Sequence, residues 1–484
     1  MFTTRLDGVV VASSHAIVLW WITEAELDRS WLAAKLLSPD MPHALRQTRS
    51  PFVGISPVPA GYVAQLAGGE VLCRRWWQPP PPEFDLPRGA CELRDGLSAA
   101  ITQPLSALGG PGRVSVELSG GLDSAALVCL AAKSRPLLVT TAGSDPAEED
   151  LSWARVVAEQ LPGTEHRVFR SEEVPLWFAD LDRVLASSPT DEPRSFASAS
   201  ARLTHLATAL TKQGVQLHLN GQGGDEVLLA PLAYLPGLVR ERRRGAWRHL
   251  RGQAALRRSS TARLVRHGRS RPSSYARWLA GTVRTLGSVE PRLAASLGWE
   301  SRPQLAPWAS QTAHQLITEA LTEAPTDPVH EDPGVHAAVH RIRCSAWRAG
   351  IYRDVLAGSG VPTVMPFFDH DVLTACLRVR PEIRTDPWCA KPLLQAALRD
   401  RPEAVLTRRT KSSYNTDLYR GWAAHRDEAR DLLSDSRLAE LDLVDQHVID
   451  VELAQFGPGG LPPALITDLL ALETWLRSLT SGGG

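Results

Sequence analysis

The chain has 484 residues, 43% of them hydrophobic and 22% charged, with 53 basic and 53 acidic side chains. That length suits two or three domains with large cores, and the charge balance excludes a global field aimed at nucleic acid or membrane. Six scattered cysteines without a C-x-x-C pair exclude a zinc knuckle or a redox motif and suit a reducing compartment.

Residues 1–77 read as a small β-rich domain. Val9–Trp21 (VVVASSHAIVLWW) is an apolar run split by Ser13-Ser14-His15, with only Arg5 before it and Asp7 in its flank. No small-residue cleavage site follows, so the run predicts two short strands around a turn and a cytoplasmic protein. Residues 51–77 alternate short apolar runs with Pro and Gly turns, a meander pattern. Gln78–Pro87 (QPPPPEFDLP) is a polyproline-type linker, which divides the chain into residues 1–88 and 89–484.

Helix-periodic sequence runs from about Cys91 to Leu108. From 114 to about 226, strands and helices alternate. Strands are predicted at Val114–Leu118, Pro136–Thr141, His166–Phe169 and Val215–Leu219, with an amphipathic helix at Glu148–Gln160. This order predicts an α/β fold, a doubly wound parallel sheet with ligands at the carboxyl ends of its strands. Residues 240–271 carry twelve Arg against the single acid Glu241 and read as a solvated helical face or as a phosphate grip. The rest, to about 480, is mostly helical.

The segment VSVELSGGLDSAA, residues 114–126, carries most of the chemistry. A strand feeds the small-residue turn Ser119-Gly120-Gly121-Leu122-Asp123-Ser124, and an apolar helix follows. The first helical amides have no intrahelical partner and the helix dipole adds partial positive charge, so this turn is an anion cradle. Glycines let the backbone approach phosphate oxygens, the two serines add hydroxyl donors, and Asp123 can hold Mg2+ against the phosphates. There is no Gly-Lys-Ser/Thr, so this is not a Walker A loop. A second strand–glycine–acid segment, LHLNGQGGDEVLLAP at 217–231, places Asp225 in the same kind of turn. If the two strands are neighbours, Asp123 and Asp225 converge on one face.

The first loop resembles the pyrophosphate loop of the N-type ATP pyrophosphatases. Together with RDVLAGSGVPTVMPFFDHDVL (353–373), KPLLQAALRDRPEAVLTRRTKSSYNTD (391–417) and Asp191-Glu192-Pro193, it resembles the synthetase domain of asparagine synthetase over roughly 90–425. The resemblance implies ATP- and Mg2+-dependent adenylation of a carboxylate, release of pyrophosphate, and attack of an amine to form an amide. It assigns Mg2+ to Asp123 and Asp225, and ATP to Ser119, Gly120, Gly121, Asp123, Ser124, Val139, Thr140, Thr141, Gly221 and Lys391. It assigns substrate to Gln222, Glu226, Asp191, Glu192 and Asp369, and catalysis to Lys411 with the two aspartates. Lys is scarce here (Lys35, Lys133, Lys212, Lys391 and Lys411), which adds weight to Lys411. Lys391 opens an amphipathic helix and reads equally as a nucleotide ligand or as a surface charge.

The chain departs from asparagine synthetase at two places. Phe2 stands where glutamine-dependent relatives have a nucleophilic Cys, and the β-rich region resembles only the end of a class II glutamine amidotransferase domain. Gln222 stands where asparagine synthetases have Glu and β-lactam synthetase has Tyr, and Gln is no useful base. These features resemble the lasso peptide cyclases. That resemblance implies a leader-cleaved precursor peptide as substrate, macrolactam formation by its own N-terminal amine, and a leader peptidase and a leader-recognition protein as partners, without nucleic acid or membrane. A β-lactam-type or asparagine-forming synthetase for a small molecule remains the alternative, with a tRNA-modifying ATP pyrophosphatase behind it.

Overall fold

The computed structural model describes every residue except 111, 143–148, 186, 242–244, 270–272, 289–295, 399–414, 458–461 and 482–484. The N-terminal region opens on strands β1 (Phe2–Leu6) and β2 (Val9–Ser13), an antiparallel hairpin. After β2 the chain turns into a helix, Ala16–Thr23. The second strand expected within Val9–Trp21 is therefore a helix; a short apolar run without period 2 does not distinguish the two. Helices Arg29–Ala34 and His43–Arg46 and the short strand β3 (Leu37–Ser38) follow. Strand β4 (Ser56–Pro57) pairs with β1, and β5 (Tyr62–Ala67) and β6 (Glu70–Arg75) form a second hairpin. The region expected to be β-rich is thus mixed. Its apolar side chains join one core with the C-terminal helices: Trp31 and Phe52 lie 5.9 and 6.1 Å from the Trp475 ring.

The centre of the molecule is a parallel sheet built from β7 (Arg113–Glu117), β8 (Leu137–Ala142), β9 (Thr164–Phe169) and β10 (Val215–Leu219). All four strands were legible as short alternating or apolar runs between turns and helices. Strand β11 (Gln304–Leu305) pairs with β3, and β12 (Thr363–Val364) completes the sheet at its edge. β12 has two residues, too few to give any period, and the sequence reading missed it. The order is β12-β10-β7-β8-β9 with every neighbouring pair parallel. The chain winds outward from β7 to β8 and β9, then returns to the other side of β7 with β10. The strand order reverses between β7 and β10, and at such a reversal the loops leaving the two strands part and open a crevice.

Helices cover both faces. Leu86–Ala107 starts at the Asp85 cap, whose side chain accepts from Arg88 N, and buries Leu93, Leu97 and Ile101 against Val114, Val116 and Leu118. Leu122–Ala131, the helix after the first glycine loop, is buried from Ser124 to Ala131. The long helix Pro333–Gly358 carries Tyr352 and Leu356 to the opposite face. In the arginine-rich stretch, helices Ala246–Leu256 and Thr261–Arg269 bury Leu250, Ala254 and Leu264 and turn their arginines to solvent. No described helix is long and apolar enough to cross a membrane.

Candidate active site

β7 delivers the first loop. Leu118 N donates to Thr140 O at 2.8 Å, keeping the sheet paired up to the turn. Gly120 then takes φ +72°, where a side chain is strained. Gly121 is the extended N-cap of helix Leu122–Ala131, so the free amides of that helix face the crevice. Ser124 serves the loop rather than the cleft: buried, its Oγ accepts from Ser119 N at 3.1 Å and donates to Gly121 O at 3.1 Å. Ser119 is exposed, and its Oγ lies 3.2 Å from Ser124 Oγ. Val139 and Thr140 have buried side chains, and Thr141 donates its hydroxyl to Leu118 O at 2.7 Å. These three, assigned to ATP, use their side chains inside the sheet.

β10 delivers the second loop against the first. A Cβ on Gly221 would lie 3.4 Å from the Ser124 backbone, and one on Gly224 would lie 2.3 Å from Asp123 Cγ. A side chain at Gly224 would displace the Asp123 carboxyl, which fills that space. Asp225, in the first turn of the short helix Gly224–Leu228, then comes beside Asp123. Lys391 closes the group. Its Nζ donates to Asp123 Oδ2 and lies 2.7 Å from Asp225 Oδ1. The Lys391 and Asp123 side chains are 12% and 17% exposed, so the pair is well shielded, whereas Asp225 at 41% faces the opening. Lys391 is no surface charge. It takes the left-handed φ of +49° as the N-cap of helix Pro392–Ala397, a geometry without signal in the sequence.

Arg341, on the long helix, was also missed. Its guanidinium donates to Asp225 O at 2.9 Å, Glu226 O at 3.1 Å and Leu229 O, holding the carbonyl end of the helix that carries Asp225. Gln222 is exposed and its backbone N–H donates to Asn220 Oδ1 at 2.8 Å. Glu226 is half-buried beside Arg341.

Three residues assigned to substrate have other work. Asp369 caps helix His370–Arg378, accepting from Asp371 N at 2.9 Å. Asp191 accepts from Ile17 N at 3.0 Å and pairs with His15 at 3.1 Å; burial raises its carboxyl above the ordinary range, with those two partners opposing. Glu192 pairs with Lys35 and Arg46 at 3.1 Å each; burial favours its neutral form, but Arg46 and Lys35 hold it below the usual range. Asp191 and Glu192 therefore anchor residues 15–46. Lys411 lies outside the described residues.

The chain matches the asparagine synthase family over residues 92–477. It belongs to that family. No curated protein matches it. Among solved structures it is similar to an NMN synthetase from Francisella tularensis, at 18% identity and a TM-score of 0.21, over 30% of this chain and 58% of that one. The chain thus spans about 58% of the length of that structure.

In this asparagine synthase family member the donor set fits a magnesium nucleotide. Among the described residues no three His, Cys, Asp or Glu gather to hold a metal. A cation held by Asp123 and Asp225 would take ligand oxygens for the rest of its coordination, as Mg2+ does beside phosphates. Gly221 and Gly224 let the second loop close on Ser124 and Asp123, and the Lys391 ammonium lies between the two carboxylates as a point charge.

Proposed function

We propose that the protein is an ATP-dependent, AMP-forming amide ligase. The convergence of Asp123 and Asp225 on Lys391, at the reversal of the strand order, carries this reading. An anionic carboxylate must approach an anionic phosphate. The amides of helix Leu122–Ala131 and the Lys391 ammonium lower that barrier, and Asp123 and Asp225 would hold a Mg2+ that neutralises phosphate charge. Lys411 is proposed as the catalytic cation for the acyl-transfer step.

The substrate proposed is a peptide that supplies both partners, an Asp or Glu side chain as acyl donor and its own N-terminal amine as nucleophile. The product is a macrolactam, as in the lasso peptide cyclases. Gln222, exposed at the mouth of the site, offers no base, and a peptide α-amine with a pKa of about 7.7–8.0 needs little help near neutrality. A leader peptidase and a leader-recognition protein are the proposed partners. The compartment proposed is the cytoplasm, which suits six cysteines that form no disulfide.

The test is mass spectrometry of a leader-cleaved precursor with ATP and Mg2+. Loss of one water, mapped to an amide between the first residue and an internal acid, is expected together with AMP and pyrophosphate. N-acetylation of the peptide should block closure and leave adenylation intact. Products limited to ADP and phosphate would remove the ligase reading, and amide formation with free ammonia alone would remove the cyclase. Glutamine should not change the rate. Phe2 is a core residue, 3% exposed and edge-on to Trp347 at 5.9 Å, and offers no nucleophile. Glutamate released in step with product would contradict this.

A further inference from the structure

Two polar pairs cross between β7 and β10, the strands that carry the two loops. In the middle of the strands Ser115 Oγ meets His218 Nδ1 at 2.8 Å. The register pairs Ser115 with His218 and Val116 with Leu219, so the next residues, Glu117 and Asn220, are neighbours at the strand ends. There Asn220 Nδ2 donates to Glu117 Oε2 at 2.5 Å. The other end of the same amide, Oδ1, accepts the backbone N–H of Gln222 at 2.8 Å, and Asn220 N donates to Val364 O at 3.0 Å. Asn220 is thereby tied to β7, to β12 and to its own loop.

We propose that Glu117 and Asn220 are positioning residues, a latch that holds the second loop in register with the first so that Asp225 reaches Asp123 and Lys391. They act through the loop: Glu117 lies two residues before Ser119, and Asn220 lies five before Asp225. The tolerance is small. One residue of slip between the strands moves a loop by about 3.3 Å. The Lys391–Asp225 contact is 2.7 Å and would not survive it. A misplacement of about 1 Å at reacting groups costs on the order of a hundredfold in rate. The pair is also one that burial makes worth keeping. Desolvation raises the Glu117 carboxyl above its ordinary range, and the Asn220 bond works against that shift.

This inference rests on the ligase reading for its functional consequence, and the experiment separates the two. The full chain is titrated calorimetrically with ATP in excess MgCl2. Glu117→Ala and Asn220→Ala should each weaken binding by about tenfold, the worth of one hydrogen bond to a charged group. Glu117→Gln keeps an acceptor for Asn220 and should stay within about threefold of wild type. Because the two side chains act as one unit, the double Ala variant should bind no more weakly than the worse single. Ala variants that bind as wild type while folded, or a double variant equal to the product of the singles, would overturn the latch. Should Glu117→Ala not fold, Asn220→Asp keeps the size and loses the donor, and unchanged binding in it overturns the latch equally. If wild type binds no nucleotide the ligase reading fails. The cycle in unfolding midpoints still decides the latch, because additive shifts would show that the two side chains do not couple.

Discussion

Lys391→Ala is expected to abolish pyrophosphate release and to lower the stability of the chain. The ammonium sits against two carboxylates that the fold forces together, Asp123 by its place in the first loop and Asp225 by the glycines of the second. Without it, two like charges face each other in a shielded crevice. The loss of a charge-assisted hydrogen bond to Asp123 costs about 1.5–3 kcal/mol. Asp225 is 41% exposed, so its share is screened to about 1 kcal/mol or less. Catalysis suffers more, because a preorganised charge partner of developing phosphate charge is worth about 3–4 kcal/mol. Lys391→Arg should restore stability better than rate, since a planar fork does not replace a compact ammonium. Adding Asp225→Asn to Lys391→Ala relieves the repulsion and should recover part of the unfolding midpoint while leaving turnover absent. The measurements are a substrate-dependent pyrophosphate assay and thermal unfolding of the four proteins. A Lys391→Ala chain with near-normal turnover would return Lys391 to the role of a scaffold cation.

Glu300→Ala is expected to unfold the protein or bring it close to unfolding. Glu300 is 3% exposed and binds three parts of the chain at once. Its carboxylate accepts from Tyr275 OH at 2.7 Å, from His43 N at 3.2 Å, and contacts His336 Nε2 at 3.0 Å and His340 Nε2 at 3.3 Å. Val329 N donates to His336 Nδ1 at 3.0 Å, so the other ring nitrogen of His336 carries the proton toward Glu300. Burial favours the neutral acid, yet His340, His336 and His43 together hold the Glu300 carboxyl down to about 2. Burial also opposes charge on His340, but Cys344 and Glu300 beside it push it up to about 9. Removing the carboxylate leaves a buried cation without its partner, which costs about 3–5 kcal/mol, against a total stability of about 5–15 kcal/mol.

The same cluster gives a pH dependence whose sign is fixed. His340 is raised from 6.5, so its contribution is complete below pH 6.5 and is lost as the pH rises toward about 9. Glu300 is lowered from 4.5, so its contribution holds above pH 4.5 and is lost as the pH falls toward about 2. His43, lowered by burial to about 3, also loses stability below pH 6.5. The unfolding midpoint should therefore peak near pH 6.5 and decline toward pH 9. In Glu300→Gln, which keeps one acceptor oxygen but not the charge, the alkaline decline should flatten. An unchanged slope in that variant would exclude the His340–Glu300 pair as its source.

Some of this protein is written locally. Ser119 to Ser124 and Asn220 to Glu226 follow buried strands and open helices, so each loop and its acid were legible without the fold. Glycine turns, strand periodicity and a helix start depend on residues a few positions apart, and such signals survive in a linear reading. The family was legible for the same reason, from four segments in a fixed order. What required the tertiary structure depends on residues far apart in sequence. Lys391 became a partner of Asp123, 268 residues away, because β10 lies beside β7 and Arg384 and Thr385 bond Val227 O and Ala230 N just after the second loop. Asp191 and Glu192 anchor residues 15–46 because His15, Lys35 and Arg46 stand opposite them, a pairing across at least 146 residues that no local signal shows. Glu300, His336, His340 and His43 carry no motif, and only burial on three converging elements makes them a unit. A side chain's chemistry is set in the chain, but its partner, its solvent exposure and hence its charge are set by what the fold brings against it.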